Sequence, residues 1–204
     1  MTRGLLLIDI QNDFLPGGAL AVPRGDEVIA VANRCIASGA YAAVVATQDL
    51  HPPDHGSFAS QHPGAAPYAQ GELAGLPQTL WPDHCVRGSR GAELAEALDR
   101  RRLAAVVPKG TDPSIDSYSG FFDNARRKKT DLEATLRALG VSALDVVGLA
   151  TDYCVKATVL DALELGFSVR VLVEGVRAVD LQPGDGARAI EAMREAGAEL
   201  VGAA

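Results

Sequence analysis

No apolar run in this 204-residue sequence approaches the roughly 20 residues needed to cross a bilayer, so no membrane-spanning helix is expected. The first apolar stretch, Gly4 to Ile10, is too short for a secretory leader and runs straight into Gln11, Asn12 and Asp13. Basic residues are outnumbered, 19 Lys and Arg against 26 Asp and Glu, for a formal charge of −7. That balance argues against nucleic acid and anionic membrane as partners. The one basic run, Arg126 to Lys129, reads as a solvated loop or helix start. Cysteine is scarce as well: Cys35, Cys85 and Cys154 form an odd, irregularly spaced set that suits a reducing cytoplasm rather than a disulfide framework. Internal repeats and linkers are also missing. What remains, 48% hydrophobic and 22% charged residues, is the composition of a globular chain with one core, expected as a single domain over residues 1–204.

Apolar runs alternate with segments of helical spacing. Leu5 to Ile10 and Ala42 to Thr47 are continuous enough for strands buried on both faces, and Leu103 to Val107 forms a third. Helices are expected over Asp26–Ile36, Gly91–Asp99, Thr130–Leu139 and Pro183–Ala196, with Asp26 as a cap and a Thr130–Glu133 capping box. Strands follow at Phe167–Val173 and Glu199–Val201. The pattern predicts an α/β fold, a single doubly wound domain with a mostly parallel central sheet flanked by helices. The irregular region Gly56 to Gly88 interrupts it; so long an insertion is expected to build a pocket wall. The loop Asp116 to Asn124, with three aromatics among small polar residues, suits a pocket lip.

The most informative stretch is Leu144 to Thr158, a buried strand that turns at Gly148–Thr151 into a helix expected from about Asp152. Cys154 then falls in the first helical turn, where free N–H groups and the helix dipole favour a thiolate. A lone cysteine is most often inert packing; its partners decide. Asp9 lies near the end of the first buried strand and needs a cationic or hydrogen-bonding partner there. Lys109 follows the third strand. All carboxyl ends of a parallel sheet share one edge, so Asp9, Lys109 and Cys154 can converge, the lysine supporting both carboxylate and thiolate. Asp49 and His51, two apart after the second strand, can face one centre, with His84 in the Trp81-Pro-Asp-His-Cys-Val86 segment as a third ligand. A carboxylate with imidazoles suits zinc, iron or manganese. His55 is either a further ligand or a supporting partner, and His62 reads as surface.

These segments resemble the nicotinamidases (pyrazinamidases) of the isochorismatase-like cysteine-hydrolase superfamily. The matching stretches are Asp9–Phe14, Thr47–Pro52, Trp81–Val86, Lys109-Gly110, Asp116–Phe121 and Gly148–Val155. The resemblance implies hydrolysis of nicotinamide to nicotinate and ammonia through a cysteine thioester. In it Cys154 is the nucleophile, Asp9 the base, Lys109 the third catalytic residue, and the Ala150 and Cys154 N–H groups the oxyanion hole. It further implies one divalent ion, zinc in first place, on Asp49, His51 and His84, and a cis bond between Leu149 and Ala150. Phe14, Trp81 and Tyr153 are the candidates for packing the pyridine ring. The expected partner is the small molecule alone, with self-association into a homo-oligomer left open. The rival readings are a relative acting on another amide or an N-carbamoyl compound, and an inactive binding module. The metal motif argues against the first and the complete triad against the second.

Overall fold

The computed structural model describes residues 1–202. Six strands form one parallel sheet in the order β5-β2-β1-β6-β7-β8: β1 (Arg3–Ile8), β2 (Ala43–Asp49), β5 (Leu103–Lys109), β6 (Ala143–Leu149), β7 (Ser168–Arg177) and β8 (Glu199–Val201). Alternation along β1 explains why the sheet is covered twice. Leu5 and Leu7 enter a core with α1 (Glu27–Ser38), whereas Leu6 and Ile8 enter a second core with α2 (Leu132–Ala138) and α3 (Lys156–Glu164). Met193 of α4 (Asp185–Glu195) joins that second core. Chain order reverses between β1 and β6, the kind of switch point where open α/β sheets hold ligands at their carboxyl edge.

The insertion folds into a small hairpin, β3 (Gln70–Leu73) against β4 (Leu76–Thr79). The helix expected over Gly91–Asp99 does not form. The apolar residues of that segment, Ala92, Leu94, Ala95 and Leu98, are buried as their spacing requires, but the backbone is engaged elsewhere. Gln11 and Gln48 side chains donate to Ala92 O, Asn12 N–H donates to Glu93 O, and Ala95 N–H donates to Ile10 O. Those partners replace the i to i−4 ladder with turns. The helix caps differ as well. Asp26 is itself helical and makes no side-chain cap. Thr130 Oγ1 accepts from Leu132 N–H, but Glu133 pairs with Lys129 and Arg137, so the capping box stays open. Cys154 lies in a wide π-type turn, Thr151–Val155, and α3 begins after it, at Lys156. The Leu149–Ala150 bond is cis.

At the opposite edge of the sheet, Asp145 of β6 is buried and fully paired. Arg3, Arg170 and Tyr41 donate to its carboxylate, tying β1, β6 and β7 and the loop before β2. Gly148 sets how closely β6 approaches β1. Its φ is +132°, and a Cβ there would lie 2.1 Å from Ile8 O. Gly148→Ala is therefore expected to lose roughly 2–4 kcal/mol, seen as a lower urea midpoint at unchanged m-value.

Candidate active site and metal-ligand cluster

Three strand ends deliver the core of the site. Asp9 follows β1 with φ +48°, Lys109 is the last residue of β5, and Cys154 sits in the turn after β6. Lys109 is 2% exposed, although a lysine just past a strand end is more often solvated. Its Nζ lies 3.0 Å from Asp9 Oδ2, and it donates to Asp49 Oδ1 at 2.8 Å, Ser117 O at 2.9 Å and Cys154 Sγ at 3.4 Å. Burial works against the ammonium, but Asp49, Asp9 and Cys154 outweigh it and hold the Lys109 pKa well above its usual value. Burial pushes Asp9 up, with Lys109 opposing. Burial also pushes the Cys154 thiol well up, against the pull of Lys109. Asp49 goes the other way: although burial opposes its ionisation, Lys109 and His51 keep it well below the usual carboxylate range. The resting cluster is a thiol beside a cation held between two acids.

Asp49 also belongs to a second group. Its Oδ2 lies 3.3 Å from His51 Nε2 and 3.8 Å from His84 Nε2, and ligand atoms of these three buried residues all fall within 4.8 Å of one another. The outer ring nitrogens fix both imidazoles: His51 Nδ1 donates to Gly110 O at 2.7 Å, and His84 Nδ1 to Pro82 O at 2.8 Å. Each Nε2 thereby points toward Asp49, with the donor set and supporting bonds of a metal site. An ion held by these three residues would keep positions open, as sites that bind substrate or water require. Burial disfavours a charged His51, but Asp49 outweighs it and raises the His51 pKa; a metal would displace that proton. Gly110 makes the close approach possible, because with φ +63° a Cβ there would lie 2.5 Å from His51 Cε1. His55 groups with His51 and Asp116 instead, and its Nε2 has no hydrogen-bond partner among the described residues. Burial, with His51 nearby, brings its pKa down to about 4, so His55 is neutral. His62 is half-buried rather than surface, its Nε2 bonded to Gly56 O.

The cavity over Cys154 has an apolar wall of Phe14, Leu20, Trp81, Tyr118, Tyr153 and Val179, with Asp49, His84, Asp116 and Ala150 also lining it. Trp81 and Tyr153 meet edge-to-face with centroids 4.8 Å apart, and Phe14 lies 5.6 Å from the His84 ring. All three sequence-level ring-packing candidates therefore border the cavity, and the insertion supplies Trp81 and His84 to its wall. Tyr118 was legible only as part of an aromatic loop; its hydroxyl accepts from Trp81 Nε1 and Gln78 Nε2. Leu20 and Val179 carried no signal, because an apolar residue in a loop does not reveal what it faces. Gln11, which locks β1 to β2 through both the N–H and the carbonyl of Asp49, was hidden in a polar loop.

The isochorismatase domain family matches residues 3–204. The chain belongs to the isochorismatase family. It is 57% identical over 200 residues to the nicotinamidase of Escherichia coli, covering 97% of this chain and 93% of that one. The yeast nicotinamidase bound to the inhibitor nicotinaldehyde superposes with a TM-score of 0.92 at 30% identity, over 98% of this chain and 100% of that one. The Pyrococcus horikoshii pyrazinamidase in complex with zinc gives a TM-score of 0.80 at 37% identity, over 99% of both chains. This member of the isochorismatase family thus shares the six-stranded parallel sheet of its nicotinamidase relatives.

Lys109→Met tests the electrostatic centre. It leaves Asp9 and Asp49 buried without their cation, and urea unfolding at neutral pH should show a loss of about 3–5 kcal/mol. That loss should shrink as the pH falls and the carboxylates take up protons.

Proposed function

We infer that the chain hydrolyses nicotinamide to nicotinate and ammonia through a thioester on Cys154, and accepts pyrazinamide by the same chemistry. The observation that carries this reading is the Lys109 ammonium, 3.4 Å from Cys154 Sγ and 3.0 Å from Asp9 Oδ2 beneath an aromatic cavity. Asp9 takes the thiol proton, Lys109 steadies the thiolate, and sulfur adds to the carboxamide carbon while the carbonyl π pair moves to oxygen. In the proposal the N–H groups of Ala150 and Cys154 hold that oxyanion; losing one such donor typically costs ~10²–10³ in rate. Collapse of the adduct breaks the C–N bond, and Asp9 returns its proton to the departing nitrogen, which leaves as ammonia. Water then adds to the thioester with one proton passing to Asp9; collapse of the adduct breaks the C–S bond, Asp9 returns that proton to sulfur, and the departing acid loses its carboxyl proton to solvent to become nicotinate. Lys109 stays an ammonium throughout.

Trp81, Tyr153 and Phe14, which line the cavity, would pack around the pyridine ring. Asp49, His51 and His84 would hold one divalent ion. Zinc is favoured by the two imidazoles and one carboxylate and by the zinc-bound relative, with iron and manganese as the alternatives for this donor set. When bound, the ion supplies a Lewis-acidic anchor for the pyridine nitrogen and for water, which orients the carboxamide toward Cys154. Nicotinate so released enters NAD salvage. The same proposal places the protein in the cytoplasm, in keeping with three cysteines that are all unpaired thiols. No helix among the described residues is long and apolar enough to cross a membrane.

Two outcomes test this function. Wild type should release ammonia from nicotinamide and Cys154→Ala should release none while unfolding at the same urea midpoint; ammonia from the alanine protein would overturn the assignment. Stripping the ion with a strong chelator should weaken nicotinamide binding to the Cys154→Ala protein at least ~10-fold, read by calorimetry, and zinc should restore it. Unchanged affinity in verified metal-free protein would remove the ion's orienting role.

A further inference from the structure

Thr47 lies in β2, two residues before Asp49, and is fully buried. Its hydroxyl is bound twice by one residue. It donates to Asp9 Oδ1 at 2.6 Å, and it accepts the Asp9 backbone N–H at 3.2 Å. The left-handed backbone of Asp9, φ +48°, turns both its N–H and its carboxylate toward this one neighbour. A hydroxyl carries a single proton, and here the proton is committed to Oδ1. Asp9 Oδ2 has no hydrogen-bond partner among the described residues and keeps only its ion-pair contact with Lys109. The two carboxylate oxygens are therefore unequal: one is held by a neutral donor, and the other meets only the ammonium that also touches Cys154 Sγ.

We propose that Thr47 is a positioning residue, which clamps Asp9 so that Oδ2 alone exchanges the proton with the Cys154 thiol. This rests on the amidase reading given above. Without the hydroxyl, Asp9 loses a donor to Oδ1 and an acceptor for its N–H, and the carboxylate is free to rotate and present both oxygens to Lys109. The S–H bond then faces an acceptor whose lone pairs are already engaged by the cation, and thiolate formation slows. Substrate affinity, set by the aromatic wall and the ligand cluster, is not touched by this change.

The test compares Thr47→Val, which keeps the shape and removes the hydroxyl, with Thr47→Ser, which keeps the hydroxyl, both as metal-loaded enzyme of measured metal content. Valine should lower kcat on nicotinamide ~10–100-fold with KM within about twofold, a fraction of what a general base contributes. It should slow iodoacetamide alkylation of Cys154 at neutral pH to a similar degree, roughly 10-fold or more. Serine should stay within about threefold of wild type in both measurements. Should the valine protein fail to fold, Thr47→Ala makes the same comparison. Wild-type behaviour of the valine protein, equal loss in both variants, or a loss that follows metal content would overturn the clamp. If wild type proves inactive on nicotinamide while the alkylation contrast persists, the substrate reading falls and the clamp stands.

Discussion

A single buried ammonium holds this site together. Lys109 reaches Asp9, Asp49, Cys154 and the Ser117 carbonyl at once, from a position with almost no access to water. Burying any of these charges alone would cost several kcal/mol, so none is tolerable without the others. That requirement constrains the fold beyond core packing alone. The ends of β1, β2 and β5 and the turn after β6 must arrive within hydrogen-bonding distance of one nitrogen. A parallel sheet does this because all its carboxyl ends lie on one edge, and the order reversal beside β1 opens the crevice there.

Asp49 joins the two halves of the site. One oxygen meets Lys109 and the other faces His51 and His84, so the Lys109–Asp9–Cys154 cluster and the histidine group share a carboxylate. The same economy appears around it. Gln11 grips the backbone of Asp49, Thr47 grips the side chain of Asp9, and Gly110 both orients His51 through its carbonyl and leaves room for it. Orientation in this enzyme comes largely from polar ties between neighbouring strand ends, set on a sheet buried on both faces.

Similarity to nicotinamidases is carried by the whole chain, while the chemistry is carried by very few atoms. The relatives that bind nicotinaldehyde and zinc share the sheet over nearly their full length. What makes the likeness chemically meaningful here is the geometry: a thiol, two acids and a lysine in contact, with two imidazoles whose Nε2 atoms face the shared acid.

The sequence by itself determined the fold class and the charged residues and cysteine that meet at the sheet's carboxyl edge. Continuous apolar strands could only be buried on both faces, and polar residues at their ends, Asp9, Asp49, Lys109 and Cys154, could only share an edge. Local chemistry was enough for that, because burial pattern and strand direction are written in residue type and period. Tertiary structure decided what the backbone does when long-range partners compete. Gly91–Asp99 has helical spacing and buries the expected residues, yet Gln11, Gln48 and Ile10 take its hydrogen bonds and it stays a chain of turns. Cys154 was legible as the residue after a strand, but the wide turn that holds it was not, since i to i−5 bonding leaves no mark in composition. Thr47 read as the last residue of an apolar strand, and only the positive φ of Asp9, 38 residues away, made its hydroxyl matter. Which oxygen of a carboxylate is free is a fact of three dimensions, because it depends on donors that reach it from other strands.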